Sequence, residues 1–188
     1  MKYKHNLSTL LFIPLIFLSV QSFSQARSGI GFAYGPNKPF SNDYNWGSGF
    51  QVFGNIAISG SRWAIVPNIG YDRLNSKGRI YYDPANLNNK RISNIDLFYL
   101  GAMGKYCFNK LVFVKAGPLL YAGGGNEDIA AVGIGGTVAG GVNLMLDRHS
   151  TIEVSLFTTV INIESTGNGV SPVAGLKFAY VFNFRGAD

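Results

Sequence analysis

His149, Ser150 and Glu153 lie within five consecutive positions of a 188-residue chain. A base, a hydroxyl and a carboxylate are the types that acyl-transfer and esterase sites combine. Their order argues against that use. His149 and Ser150 are adjacent, so on a strand they would point to opposite faces. "DRHS" reads instead as a tight turn, and no catalytic residue is expected. Glu127-Asp128 offers hard oxygens of the kind Ca²⁺ or Mg²⁺ prefers. Two neighbouring carboxylates with no further ligand read as a solvated loop tip, so no metal site is expected. The surrounding "AGGGNEDIAAVGIGG" has neither a GxGxxG nor a Walker pattern, and no cofactor is expected.

Two sets of charged residues remain. Between Asp72 and Arg91 stand Arg73, Lys77, Arg79, Lys90 and Arg91, with Tyr81 and Tyr82 among them and only Asp72 and Asp83 opposed. Such a segment suits lipopolysaccharide phosphates or the acidic surface of a protein partner. Glu153 and Lys177 fall instead among small residues on alternating segments, and Lys115 lies in a segment that is apolar on both faces. Buried charges must be paired, so these three are expected to form a polar network inside the fold, with Glu153 meeting one or more lysines. The other basic residues are scattered singly, which leaves no nucleic-acid footprint.

The elements that carry these residues have period 2, not 3.6. Ile30, Phe32 and Tyr34 alternate with Gly and Ala. Phe50, Val52, Ile56 and Ile58 alternate with Gln51, Asn55 and Ala57, although Phe53 falls on the minority face. Trp63, Ile65, Ile69 and Tyr71 share a face, as do Val138, Val142 and Leu144, and then Ile152, Val154, Leu156 and Val160. In "LKFAYVFNF", Leu176 to Phe184, every second residue is large and apolar. Residues 94–107 and 111–121 are apolar on both faces and give no orientation. The connections alternate strictly. Pro36–Trp46, Asp72–Arg91, Gly123–Ala130 and Asn162–Asn168 are long; Ser59–Arg62, Phe108–Lys110 and Asp147–Ser150 are short. Eight strands joined in this rhythm predict an all-β fold, an eight-stranded antiparallel up-and-down transmembrane β-barrel. Closure is obligatory, because hydrocarbon offers no partner to a sheet edge. Pro67, Pro118 and Pro172 oppose it, since proline cannot donate to a ladder. Bulges, or strand ends nearer than drawn, are expected there.

The side that faces outward follows from charge. A soluble lipocalin-like barrel would carry polar residues outside and large apolar ones around a ligand. Here the resolved faces are either large and apolar or small and polar, and the charges avoid the apolar face. A lysine or arginine at the lipid midplane costs about 2–4 kcal/mol. Aromatic residues such as Tyr34, Trp46, Trp63, Tyr71, Tyr106, Tyr121 and Phe184 lie near strand ends, where interfacial girdles form. The large apolar face is therefore expected to meet lipid, with small and polar residues filling the lumen. Lys2 and Lys4, the apolar run Leu10–Val20 and Ser22-Phe23-Ser24 read as a secretory signal over residues 1–24, leaving a barrel domain over 25–188. Without those two lysines the formal charge falls from +6 to +4. Cys107 is the one cysteine, expected to be a packed thiol near a strand end.

In residues 97–125, "LFYLGAMGKYCFNKLVFVKAGPLLYAGGG", Lys105-Tyr106-Cys107-Phe108 is followed by Asn109-Lys110 and then by Ala116-Gly117-Pro118. This resembles the PorT-like outer-membrane β-barrel family, small barrels of the OmpA/OmpX type. Tyr99-Leu100-Gly101 stands where that family often has a glutamate followed by Ile-Pro. The terminal aromatic strand resembles the C-terminal signal read by the outer-membrane assembly machinery, although "RGAD" follows it. The resemblance implies a barrel in the outer membrane of a Gram-negative cell and little about activity. The expected role is non-enzymatic, structural or surface-binding through extracellular loops. Its expected partners are outer-membrane lipid, lipopolysaccharide, the assembly machinery and a surface protein. A lipid A-modifying barrel enzyme, a narrow ion channel and a soluble ligand-binding barrel are the alternatives.

Overall fold

The computed structural model describes residues 26–83, 88–125, 130–165 and 168–184. The expected signal segment and Glu127-Asp128 lie outside that set. Among the described residues every regular element is a strand. They are β1 (Gly29–Pro39), β2 (Gly47–Ala57), β3 (Trp63–Leu74), β4 (Ile80–Asp83), β5 (Asn88–Arg91), β6 (Ile95–Cys107), β7 (Val112–Gly124), β8 (Ala130–Met145), β9 (Ser150–Ser165) and β10 (Asn168–Asn183). Eight of them close a barrel in the order β1-β10-β9-β8-β7-β6-β3-β2, and β4 and β5 form a separate hairpin in the connection from β3 to β6. All pairings in the barrel are antiparallel.

Paired residues trace the stagger. From Val112 the rungs run through Val142, Val154, Phe178, Tyr34, Phe50, Tyr71 and Phe98, returning to β7 at Ala122, ten residues further on. That offset tilts the strands into the usual range of about 35–45° and leaves a lumen that side chains can fill.

The faces divide as lipid demands. On β10, Phe178, Tyr180 and Phe182 are about half exposed, while Lys177, Ala179, Val181 and Asn183 are buried. The same alternation runs along β1, where Ile30, Phe32 and Tyr34 point out. Among the described residues, the only charged side chains on the outer wall are Lys38, Arg73 and Asp96, all at the end that carries the long loops. An aromatic ladder, Phe32–Phe50–Tyr71–Phe98, climbs that wall with ring centroids 6.3, 5.5 and 5.0 Å apart. Trp63, Tyr106 and Phe108 form a second belt near the short turns, with centroids 4.9 and 5.0 Å apart.

The lumen is not only small and polar. Phe53, Tyr99, Phe113, Tyr121 and Phe157 point inward, and each faces a glycine on the neighbouring strand. The pairs are Gly31↔Phe53, Gly70↔Tyr99, Phe113↔Gly141, Tyr121↔Gly133 and Gly175↔Phe157. A Cβ on Gly141 would sit 2.8 Å from the Phe113 ring, and one on Gly175 2.6 Å from that of Phe157. Five of the 24 glycines thus leave space for aromatic rings. This corrects the expectation that bulk lies only outside, and it explains why residues 94–107 and 111–121 are apolar on both faces.

The prolines also differ from expectation. Register continues through all three. Pro67 pairs with Ala102, and the β2–β3 rungs skip from Phe53↔Asn68 to Ile56↔Ile65. Pro118 pairs with Gly136, and the β6–β7 rungs skip from Gly101↔Leu119 to Gly104↔Ala116. Pro172 pairs with Val160, and its carbonyl accepts from the Phe40 N–H at 2.9 Å. Each ladder absorbs the missing donor on one side. The register shifts fall elsewhere, between Ala130 and Gly136 and between Asn168 and Val170, toward the long-loop end. β9 and β10 also run into the segment expected to be a long loop, reaching Ser165 and starting again at Asn168. Polar composition marks where the wall leaves lipid, whereas the ladder continues into water.

The short turns are locally encoded. Gly60 has φ 68°, a conformation glycine adopts without penalty. Asn109 Oδ1 accepts from the N–H groups of Leu111 and Val112 at 2.8 and 2.6 Å. Cys107 is buried at the end of β6.

Candidate functional site

The turn at Asn109 makes Lys105 and Lys115 cross-strand neighbours on β6 and β7. Two ammonium groups side by side in a buried lumen require a carboxylate. Glu153 on β9 supplies it, with Oε1 to Lys105 and Oε2 to Lys115, the latter at 2.9 Å. Glu153 is 2 % exposed. Phe113 lines both cations, its centroid 4.4 Å from Lys105 Nζ and 4.9 Å from Lys115 Nζ. The Phe53 ring covers Lys115 at 4.8 Å. This cluster closes the short-turn half of the lumen together with Val66, Met103 and Val181.

Lys177 stands apart from that cluster. It donates to Tyr99 Oη at 2.6 Å and to Gln51 Oε1 at 3.5 Å, with the rings of Phe157 and Tyr99 at 4.7 and 5.0 Å. Above it Asp72 accepts from Asn37 Nδ2 at 3.0 Å. A cavity of about 40 Å³, measured by the positions open to the centre of a water molecule, lies between Lys115, Lys177, Asn68 and Asp72. That is room for a few waters.

Over the cavity sits an apolar layer of Leu74, Ile95, Leu97, Leu119, Ile161 and Val173. Of its fully buried members the one outside the barrel strands is Tyr44, which is 4 % exposed and hangs from the first loop, and half-buried Ile92 packs against the layer from the connection into β6. Burial, then the Asp43 carboxylate beside it, pushes the Tyr44 phenol up to about 12. The loop is tied to the β3–β4 connection. Tyr44 bridges to Ser76, Arg79 Nη1 meets Asp43 Oδ1 at 2.9 Å, and Asn45 N–H donates to the Asn75 carbonyl at 2.7 Å. The Lys77 N–H donates to the Asp43 carbonyl at 2.9 Å.

Known structures share this frame. Neisserial surface protein A matches with a TM-score of 0.60 over 84% of this chain and 97% of its own, at 14% identity. Ail, the attachment invasion locus protein of Yersinia pestis, solved with the heparin analogue sucrose octasulfate, matches with a TM-score of 0.51 over 85% and 100%, at 13% identity. The fold is that of small outer-membrane barrels. No family model matches the chain. No curated protein matches it either.

The surface residues singled out in the sequence spread over this end of the barrel. Arg73 is half exposed on the outer wall, its Nε 3.8 Å from Asp96, which also accepts from the Tyr71 hydroxyl. Arg79 belongs to the loop clasp, and Arg91 Nε donates to the Gly78 carbonyl at 3.2 Å. Tyr82 is exposed on β4. Tyr81 and Lys90 are strand residues of the hairpin whose side chains lie outside the described set.

The residues with catalytic types are not brought together. His149 lies against the end of β10, its Nδ1 3.2 Å from the Asn183 carbonyl and its ring 6.0 Å from that of Phe182. Ser150 Oγ pairs with Tyr180 Oη at 2.9 Å, and both oxygens of Glu153 serve the lysines. In the turn before them, the His149 N–H above all holds the Asp147 carboxyl below its ordinary range. No group of three metal-ligating side chains occurs among the described residues. Sequence reasoning left Lys105 out of the site. The signal was present, because 105 and 115 are equidistant from the turn at 110 and must face each other across the hairpin. Tyr44 gave no signal, since a loop tyrosine carries no periodicity.

Proposed function

We propose that this chain is an integral protein of a Gram-negative outer membrane, without enzymatic activity, whose work is done by its extracellular loops. The observation that carries the reading is the inverted wall. Phe178 and Leu156 lie outside while Lys105, Lys115, Glu153 and Lys177 lie inside. A soluble barrel would reverse that placement. The filled lumen favours a surface role over conduction, since the described side chains close it above and below the cavity. The loop surface around Arg79 and Arg91 suits a polyanion or an acidic partner; the Ail structure holds a heparin analogue, a ligand of that class. Within this reading the chain is assigned to the PorT-like barrels. The structure gives a physical use to the motif residues, with Lys105 on Glu153, Asn109 capping the turn and Pro118 at a skipped rung. The test is fractionation of the expressed protein, followed by heparin binding of the purified barrel across a salt series. Outer-membrane recovery, heat-modifiable mobility and salt-sensitive retention are expected. Recovery in the soluble fraction would overturn the membrane assignment, and retention unchanged by Arg79→Gln with Arg91→Gln would overturn the loop assignment.

A further inference from the structure

The three charged side chains on the outer wall among the described residues share one end of the barrel, and their arrangement has a use that the loops do not. Pro36 pairs with Ser48 and Ser48 with Arg73, so Lys38, two residues beyond Pro36, lies two strands from Arg73. At ~4.8 Å per strand and ~3.3 Å per residue their backbones are about 12 Å apart. Trp46 lies between them, exposed, with Lys38 Nζ 5.7 Å from its ring centroid. Directly below runs the aromatic ladder Phe50–Tyr71–Phe98, which faces lipid. Two long cations flanking an indole, at the upper edge of an apolar wall, match a molecule with a phosphate above and acyl chains beneath. Aromatic rings and snorkelling cations hold this level of a bilayer. Asp96 faces the same rim and screens one side of Arg73; Lys38 has no acidic partner within 4.0 Å among the described residues.

We infer that Lys38, Trp46 and Arg73 form a binding site on the barrel wall for a lipid of the outer leaflet whose phosphate leaves it net anionic. The site rests on the membrane reading above and is distinct from the hairpin surface. Lys38 and Arg73 hold the phosphate, Trp46 sets its depth, and the chains lie on Phe50, Tyr71 and Phe98.

The two tryptophans make the test direct, because Trp63 sits at the opposite belt. In Trp63→Phe the remaining fluorophore is Trp46. That protein is refolded into phosphatidylcholine vesicles containing a minor fraction of either brominated phosphatidic acid or brominated phosphatidylcholine. Bromine quenching reports which lipid resides at the indole. Phosphatidic acid is expected to be enriched over phosphatidylcholine by about fivefold for each cation engaged, the usual effect of one lysine or arginine at an anionic surface. Lys38→Gln with Arg73→Gln is expected to erase the preference, and Trp46→Phe, which leaves Trp63, to show none. Equal quenching by the two lipids, or a preference that survives the double substitution, would overturn the site. Heat-modifiable mobility of each variant shows separately whether the barrel has inserted, so failure of the membrane reading is distinguishable.

Discussion

The two ends of the lumen are closed by opposite means. At the short-turn end the seal is ionic, and every member is rooted in a paired strand: Lys105, Lys115 and Glu153. At the long-loop end the seal is apolar, and one of its members, Tyr44, hangs from a loop. A strand-borne side chain cannot leave without breaking ladder hydrogen bonds, whereas a loop-borne one can leave when its clasp opens. The short-turn end is therefore scaffold and the long-loop end is adjustable. That polarity agrees with the role proposed for the long loops.

The ionic seal carries the largest expected effect. In Glu153→Gln two buried ammonium groups lose their counter-charge. Breaking such a pair costs about 3–5 kcal/mol, which should appear as a lower urea midpoint for the liposome-inserted barrel. Adding Lys105→Met and Lys115→Met should recover much of the loss, because an apolar core can replace a buried ion cluster. An unchanged midpoint in the single variant would show that the cluster does not hold this end.

The outer wall sharpens the comparison at the next size. Leu156 projects from β9 into the apolar band, between Ser155 and Phe157 in the lumen. Leu156→Lys should cost about 2–4 kcal/mol at that depth. The same substitution at Tyr82, on the exposed hairpin, should be nearly silent. Equal effects at the two sites, read by urea unfolding, would remove the lipid from the explanation.

The fold was legible because alternation and connection length are both written in the residues. Phe178, Tyr180 and Phe182 against Lys177, Ala179 and Asn183 leave one orientation consistent with lipid, and tight turns alternating with long polar segments set the strand number. Three features were not legible. Inward aromatics such as Phe113 resemble lipid-facing ones until their glycine partners are known, and those partners lie on another strand. The prolines suggested broken strands, but a ladder can lose one rung and keep its register. The β4–β5 hairpin lies in a polar segment with no apolar period, so its pairing of Ile80 with Arg91 left no pattern. Of the lumenal charges, Glu153 and Lys177 stood out as charges on a small-residue face, and Lys115 as the one charge in an otherwise apolar strand. The division into a Glu153 cluster and a separate Lys177 depends on which strands lie opposite across the barrel.

The adjustable end yields the smallest effect and the most specific one. The Tyr44 hydroxyl is buried without a hydrogen-bond partner among the described residues. An unsatisfied hydroxyl contributes nothing to docking, so Tyr44→Phe should hold the mouth as well as tyrosine does, within about 1 kcal/mol. The two should part only in alkali. Tyr44 titrates near 12 in the folded mouth, against about 10 for a free phenol. The folded state thus binds more protons than the unfolded one between those values, and stability falls as pH rises across them. The contribution of Tyr44 is fully present below pH ~10 and is lost progressively toward pH ~12. Tyrosinate absorbance of the wild type minus that of Tyr44→Phe isolates the one phenol. Proteolysis of the first loop over the same pH series reports whether the mouth has opened. Ionisation and loop cleavage should rise together in the wild type, and this step should be missing in Tyr44→Phe. A difference spectrum that completes its change near the ordinary phenol value would place Tyr44 in water, and the seal at the long-loop end would then rest on strand residues with Ile92, without a contribution from the first loop.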